Sequence, residues 1–307
     1  LVLIFLWKRR KYMLSFLNYL ISGLSLGSIY AIIALGYTMV YGIAKMLNFA
    51  HGDFIMIGCY VIFTIVSTLG MNPVVGIIVA IVVCTLLGVG TEKVAYKPLR
   101  GASSSLAVLI TAIGVSYLLE NLALLIFGAD TKSFTSVVKW SGVSLAGGKL
   151  KIQGVTIITI TVSVLILIFL QLFVHKTKEG QAMLAVSQDR GAATLMGIDV
   201  NRTISITFAI GSALAAVAGA LLCSAYPSLT PYTGAMPGIK AFVAAVLGGI
   251  GSIPGAMIGG LALGIIEILS RTYISSQLSD AIVFGILIVV LLVKPTGILG
   301  KKIQEKV

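Results

Sequence analysis

Charge is scarce in this 307-residue chain: Asp, Glu, Lys and Arg make up only 10% of it, against roughly 25% in soluble globular domains. Combined with 58% hydrophobic residues and a mean hydropathy of +1.08, that scarcity excludes a water-soluble domain. Cysteine is nearly absent. Cys59, Cys84 and Cys223 each sit inside an apolar run with no paired spacing, which excludes a disulfide framework and leaves them as small core residues. The 2 histidines, His51 and His175, are too few for a zinc hydrolase, and no metal site is assigned. No G-x-x-x-x-G-K-[ST] phosphate loop occurs, so the chain does not bind ATP by that route. No Ser-His-Asp or paired-carboxylate arrangement is present either, so it is not read as an enzyme, and no cofactor is assigned to it. No fixed-period repeat is detectable.

Acidic residues are also few: 10 Asp and Glu stand against 22 Lys and Arg, for a net charge of +12. In a soluble protein that imbalance would point to nucleic acid. In a membrane protein it marks loops that stay on the cytoplasmic side, so the partner is the lipid bilayer and not nucleic acid.

What is abundant is apolar sequence. Runs fall at about Tyr19 to Val40, Phe54 to Leu69, Val74 to Val89, Leu106 to Phe127, Val155 to Val174 and Ile204 to Ala225. Shorter ones follow at Ile239 to Ile250, Ala256 to Leu269 and Ala281 to Val293. A span takes about 20 residues, and none of the runs alternates as a membrane barrel strand does. The expectation is an all-α polytopic membrane protein with about eight or nine hydrophobic segments, some discontinuous, in a single transmembrane domain over residues 1–307.

Basic clusters orient the spans. Placing the carboxyl tail, the 176–202 loop and the 92–100 loop on the cytoplasmic side is self-consistent and leaves 128–153 outside. The cluster Lys8, Arg9, Arg10 and Lys11 then has the wrong parity. Either the stretch around Tyr41 to Leu69 holds a re-entrant helix, or residues 1–12 are a non-native start. The second is preferred here, because Met13 opens the charge-free "MLSFLNYLISG"; without those basic residues the net charge falls to +8.

Three elements stand out from this background. The loop His175 to Thr203 reads as short helices: Gln181 to Gln188, an interruption at Gly191, then Ala192 to Met196 with Gly197 as a stop. Its apolar residues need either a partner's groove or the membrane surface. The segment Gly238 to Gly264 carries the GxxxG pairs Gly251 and Gly255, Gly255 and Gly259, and Gly260 and Gly264, with Pro254 between two short apolar pieces. It reads either as a conventional turn at Gly-Ser-Ile-Pro or as a discontinuous helix, and both demand close helix packing. Tyr41 to Gly58 brings together Asn48, His51 and Asp53, where Asp53 reads as an N-cap for a helix starting at Phe54 and Asn48 and His51 as satisfying backbone at a break. With Glu120, these form the candidate pathway or gate set, since ionisable groups inside spans are functional candidates. Glu267, four residues before Arg271, has the favourable spacing for a helix ion pair.

The stretches "LGSIYAIIALGYTMVYGIAKMLNFAHGDFIMIG", "LMGIDVNRTISITFAIGSALAAVAGALL", "PGIKAFVAAVLGGIGSIPGAMIGG" and "LLVKPTGILG" resemble the permease subunits of branched-chain amino acid ABC importers, specifically the H-type subunit. The likeness runs from Leu26 to Gly300 and is weakest over Ala129 to Gly154. It implies an ABC importer permease fold in a bacterial inner membrane, multi-pass, with the carboxyl terminus cytoplasmic. It further implies a second, M-type permease as pathway partner, two ATP-binding subunits that hold ATP-Mg, and a periplasmic or lipid-anchored substrate-binding protein. On this resemblance the 175–203 loop is the cytoplasmic coupling loop. Asp189, Arg190, Ala192, Ala193, Leu195, Met196 and Gly197 would contact an ATPase, with Arg190 at the rim and Leu195 and Met196 in the groove. The pathway itself is expected to offer weak, apolar guidance. A urea or amide permease and an ion-coupled secondary amino acid carrier are the alternatives.

Overall fold

The computed structural model describes residues 2–101, 105–145 and 150–300. Helix α1 (Val2–Ala44) is followed by α2 (His51–Phe63), extended by a π-helical turn Thr64–Thr68, then by α3 (Pro73–Thr91) and α4 (Ser105–Phe127). After a loop with short strands β1 (Lys132–Ser133), β2 (Val143–Leu145) and β3 (Leu150–Ile152) come α5 (Gly154–Lys176), α6 (Lys178–Gln188), α7 (Arg190–Leu195) and α8 (Val200–Ala225). Strand β4 (Ser228–Leu229), α9 (Ala235–Gly248), α10 (Ile253–Tyr273) and α11 (Ser279–Val293) complete the described chain. Among the described residues 7 helices are long and apolar enough to cross a membrane, and α9 and α11 are shorter apolar helices. The apolar runs of the sequence therefore coincide with helices throughout.

Polar contacts between elements define two ends of the bundle. At one end Arg100 donates to Asn201 at the start of α8, and Arg190 donates to the carbonyl of Ala44 at the end of α1. At the other, Ser67 meets Thr135 at 3.3 Å and β1 pairs antiparallel with β4. β2 and β3 pair antiparallel with each other. Helix α1 runs towards the Arg100 end, α2 from within the bundle to the Ser67 end, and α3 back to the Arg100 end, so residues 8–11 and the 92–100 segment lie at opposite ends. A re-entrant helix within Tyr41–Leu69 therefore does not remove the parity difference.

The tightest seam joins α1 to α10. A Cβ on Gly27 would stand 2.8 Å from the Leu261 Cα, and one on Gly23 would stand 2.9 Å from the Ile265 Cα. Gly260 faces Ala31 and Gly264 faces Gly27 just as closely. In lipid there is no hydrophobic drive between helices, so van der Waals contact between small residues has to supply it. Gly255 and Gly259 lie on the other side of α10, against Gly248 and Ala244 of α9.

The α9–α10 connection is a turn and not a break within one helix. Gly249 and Gly251 have φ of 104° and 92°, a region L side chains avoid. Ser252 caps α10 through the Gly255 amide at 3.2 Å, and Pro254 fits the first turn, where its missing N–H is no loss. Gly251 thus belongs to the turn, against Gly42 of α1, and not to a helical GxxxG pair. With 14 residues, α9 is about 21 Å long, short of the roughly 30 Å hydrocarbon core. The segment that precedes it is non-helical: the short strand β4 and then a turn over 231–234.

Helix α2 also begins inside the bundle. Its first residue is His51 with Ala50 as N-cap, so Asp53 lies within the first turn and does not cap a helix at Phe54. The His51 ring sits over Gly36, which is eight residues, or about 12 Å, back along α1 from Ala44. Gly52 meets Gly234 and Gly238, where a Cβ on Gly52 would fall 2.7 Å from the Gly234 carbonyl oxygen. The amino-terminal ends of α2 and α9 therefore abut within the bundle, in contact only because both are glycine there.

A charged cluster fastens four helices. Lys240 of α9 reaches Glu267 of α10 and Asp280 of α11, each at 2.7 Å. Arg271 pairs with Glu267 at the i,i+4 spacing read from the sequence, and the Tyr30 hydroxyl of α1 donates to Glu267 at 2.8 Å. Glu267 is fully buried, so its charge persists only because these partners satisfy it.

Two outcomes follow for the purified protein in detergent. Gly259→Leu should overpack the α9–α10 seam at about 1–3 kcal/mol, lowering the melting temperature, whereas Gly114→Leu, which faces open space, should leave it unchanged. Glu267→Gln leaves Lys240 with Asp280 alone and takes the carboxylate from Arg271, and should be worse, at about 3–5 kcal/mol. Size-exclusion profiles on heating give both values, and equal melting of Gly259→Leu and Gly114→Leu would refute the first.

Candidate functional site

The four pathway candidates separate into two groups. Asp53 and Glu120 line one open-sided cavity of about 260 Å³, bounded by the start of α2, the middle of α4 and the start of α9. Ser116 lines it too, one turn before Glu120 on α4, so that both face Asp53. Asp53 is 2% exposed, and its Oδ2 has no hydrogen-bond partner. Phe49, Ile113 and Ile239 supply apolar wall. The floor is bare backbone at Gly52 and Gly238, where a Cβ on Gly238 would stand 2.9 Å from the Gly52 Cα.

Asn48 and His51 are elsewhere. The Asn48 Oδ1 accepts from the Tyr96 hydroxyl at 3.0 Å, which ties the α1–α2 connection to the end of α3. It does not satisfy broken backbone. The His51 ring is buried against Tyr37, centroid to centroid 4.6 Å, and its Nε2 has no partner. His51 therefore packs the junction beneath the cavity and does not line it.

A second cavity, of about 310 Å³, lies on the other side of the α9 start and is lined by Tyr30, Lys240, Glu267 and Arg271. The sequence pairing of Glu267 with Arg271 missed Lys240. Its signal was available: a lysine one residue inside an apolar run is itself an intramembrane charge. Asp280, which completes the cluster, stands at the start of α11 and carried no such signal.

The loop between α5 and α8 is built as two short helices. Thr177 caps α6 through the Gly180 amide at 3.0 Å, and Met183 and Val186 bury one face of it in the bundle. An ion pair from Arg202 to Glu179 at 2.9 Å ties α6 to α8. The break between the helices falls at Asp189, in extended conformation, and not at Gly191, which lies inside α7. The Asp189 carboxylate accepts from the Ala192 amide at 3.0 Å and so caps α7. Gly197, at φ 82°, ends it: the Gly197 amide bonds Thr194 O and the Ile198 amide bonds Ala193 O, each at 3.0 Å, which is the Schellman arrangement.

The seven residues of this loop fall into three roles. Leu195 and Met196 project at the tip, 89% and 82% exposed. Ala192 is exposed beside them, while Ala193 is buried against the bundle and faces away from that surface. Arg190 is turned inward to the Ala44 carbonyl, so it anchors α7 to α1 and does not stand free at a rim. Asp189 and Gly197 shape the helix ends.

Among the described residues no group of three or more His, Cys, Asp and Glu side chains is placed to hold a metal ion.

Residues 19–291 match the family described as branched-chain amino acid transport system / permease component. The chain is 45% identical over 304 residues to the high-affinity branched-chain amino acid transport system permease protein LivH of Salmonella typhimurium, covering 96% of this chain and 98% of that protein. The LivH of Escherichia coli K12 gives the same identity and coverage. The corresponding Pseudomonas aeruginosa protein, BraD, is 43% identical over 305 residues, covering 95% and 98%. Among solved structures, PsaBC from Streptococcus pneumoniae in complex with Fab is similar at a TM-score of 0.43 and 16% identity, over 93% of this chain and 92% of that one. Carried by the family match and by relatives aligned along nearly their whole length, the chain belongs to the branched-chain amino acid transport permease family.

Proposed function

We propose that this chain is one of two permease subunits of an ATP-driven importer of branched-chain amino acids. Its relatives are named for that substrate class and as permease proteins of a transport system. A second permease would complete the pathway. Separate subunits would bind ATP-Mg and hydrolyse it, and a binding protein would deliver the amino acid at the end carrying the β1–β4 ladder.

The observation that supports this reading most is the tip of α7. Two large apolar side chains stand almost wholly exposed at Leu195 and Met196, on a helix closed at both ends and anchored to α1 and α8. Contiguous exposed apolar groups on a rigid polar loop mark a protein contact, and a short helix seated in a groove is a recurrent docking mode. The burial of Met183 and Val186 within the bundle takes those apolar groups of α6 out of contention and leaves the exposed pair at the α7 tip as this loop's docking candidate. Because Arg190 joins α7 to the end of α1, movement of a docked ATPase would be passed to the longest helix. ATP drives the switch between outward and inward access only in so far as it favours one arrangement over the other.

The alternative, an ion-coupled carrier, draws on the Asp53–Glu120 pair. The two are separated by uptake in proteoliposomes. Import by the complete complex should cease when the ATPase subunits are omitted and survive collapse of the proton gradient; the reverse result refutes the proposal. Leu195→Asp should reduce ATP-driven leucine uptake and the co-purification of the ATPase by about tenfold or more, since burying an unpaired carboxylate in an apolar groove is strongly unfavourable. Its membrane insertion should be unchanged, and undiminished uptake would remove α7 from the coupling role.

A further inference from the structure

The cavity holding Asp53 and Glu120 has a chemistry that the apolar spans around it do not share. Both carboxylates face it, and no Lys, Arg or His is among its lining residues. Asp53 is nearly inaccessible, and its Oδ2 has no partner. The first turn of α2 offsets part of that charge through its dipole, but a buried carboxylate short of a partner still calls for a cation. The salt-bridged cluster at Lys240 satisfies its own acids and supplies none here.

We infer that this cavity is a transit site for a zwitterionic amino acid, its ammonium group held between Asp53 and Glu120. The inference rests on the importer proposal and adds to it where inside the permease the substrate pauses. The start of α9 closes the cavity with backbone already paired: the Ala235 amide donates to the Tyr232 carbonyl and the Gly238 amide to the Gly234 carbonyl, so the charged recognition on this chain is of the ammonium end. Beside the two carboxylates Phe49, Ile113 and Ile239 offer an aliphatic side chain an apolar wall. At about 260 Å³ the cavity is smaller than most ligand sites, which run from about 300 to 1,000 Å³, and suits one small molecule. The expectation of weak, apolar guidance rests on spans such as Ile204 to Ala225, which do not line this cavity.

The test uses the complete importer in proteoliposomes. Glu120→Gln and Asp53→Asn should each lower the maximal rate of leucine uptake by about tenfold or more, the scale of one lost charge-assisted hydrogen bond. ATP hydrolysis stimulated by the loaded binding protein should persist, and Glu120→Asp should recover most of the rate. A smaller fall, or one matched by an equal loss of stimulated hydrolysis, overturns the inference; if Asp53→Asn does not assemble, Glu120→Gln decides. A second measurement needs no variant. A hydrophobic carbodiimide should label Glu120 in the wild-type complex, and leucine should protect it where 4-methyl-2-oxopentanoate, which lacks the ammonium, does not. Equal labelling with and without leucine also overturns the inference. A wild-type complex that imports no branched-chain amino acid would overturn the importer proposal and this one with it, a result distinct from loss in the variants alone.

Discussion

Everything else in the bundle is arranged around how closely α1 and α10 approach. Gly23, Gly27, Gly260 and Gly264 let the two backbones touch, and in lipid such contact is itself the stabilising interaction. Once those axes are set, the Tyr30 hydroxyl falls within reach of Glu267, and α9, pressed on the other face of α10 through Gly255 and Gly259, brings Lys240 to the same carboxylate. The polar cluster is thus a result of the small-residue seams. It then fixes the rotation of α9 about its axis, which decides which residues of α9 face the cavity beside α2.

That rotation matters because α9 starts deep in the bundle. Two helix amino termini meet at Gly52 and Gly234, each contributing a partial positive charge to a region with little else to solvate an ion. A carboxylate at Asp53 is tolerable there and would be less so in the middle of a span. The same geometry separates the two cavities, one with paired charges and one with carboxylates only, so the bundle holds two polar compartments of different character on either side of one short helix.

Periodicity and hydropathy made the helices legible, because a span must satisfy its own backbone and each apolar run therefore had a single outcome. Local chemistry made Gly197 legible as a stop and Glu267 and Arg271 legible as a pair, since both depend on residues within one or two turns. What escaped was set by contacts far apart in sequence. Asp53 looked like a cap because the helix start at His51 depends on Gly36 packing beneath the ring. Arg190 looked free because its acceptor, the Ala44 carbonyl, is 146 positions away. Lys240 carries no local sign of its partners, since Glu267 and Asp280 are brought to it by the packing of α9 with α10 and α11. The partnership of Asp53 with Glu120 in one cavity likewise follows from where α4 lies against α2, which no local pattern encodes.

The two-residue ladder between β1 and β4 carries a mechanical meaning of its own. β1 follows α4, the helix that bears Ser116 and Glu120, and β4 leads through a turn over 231–234 to the head of α9. Lys132 faces Leu229 and Ser133 faces Ser228, and the Phe134 amide adds a bond to the Pro227 carbonyl at 3.3 Å. The α4 and α9 walls of the acidic cavity are thereby clasped together at one end of the bundle. That connection is made by backbone hydrogen bonds alone, so the two walls are linked there independently of the side-chain packing that holds the helices.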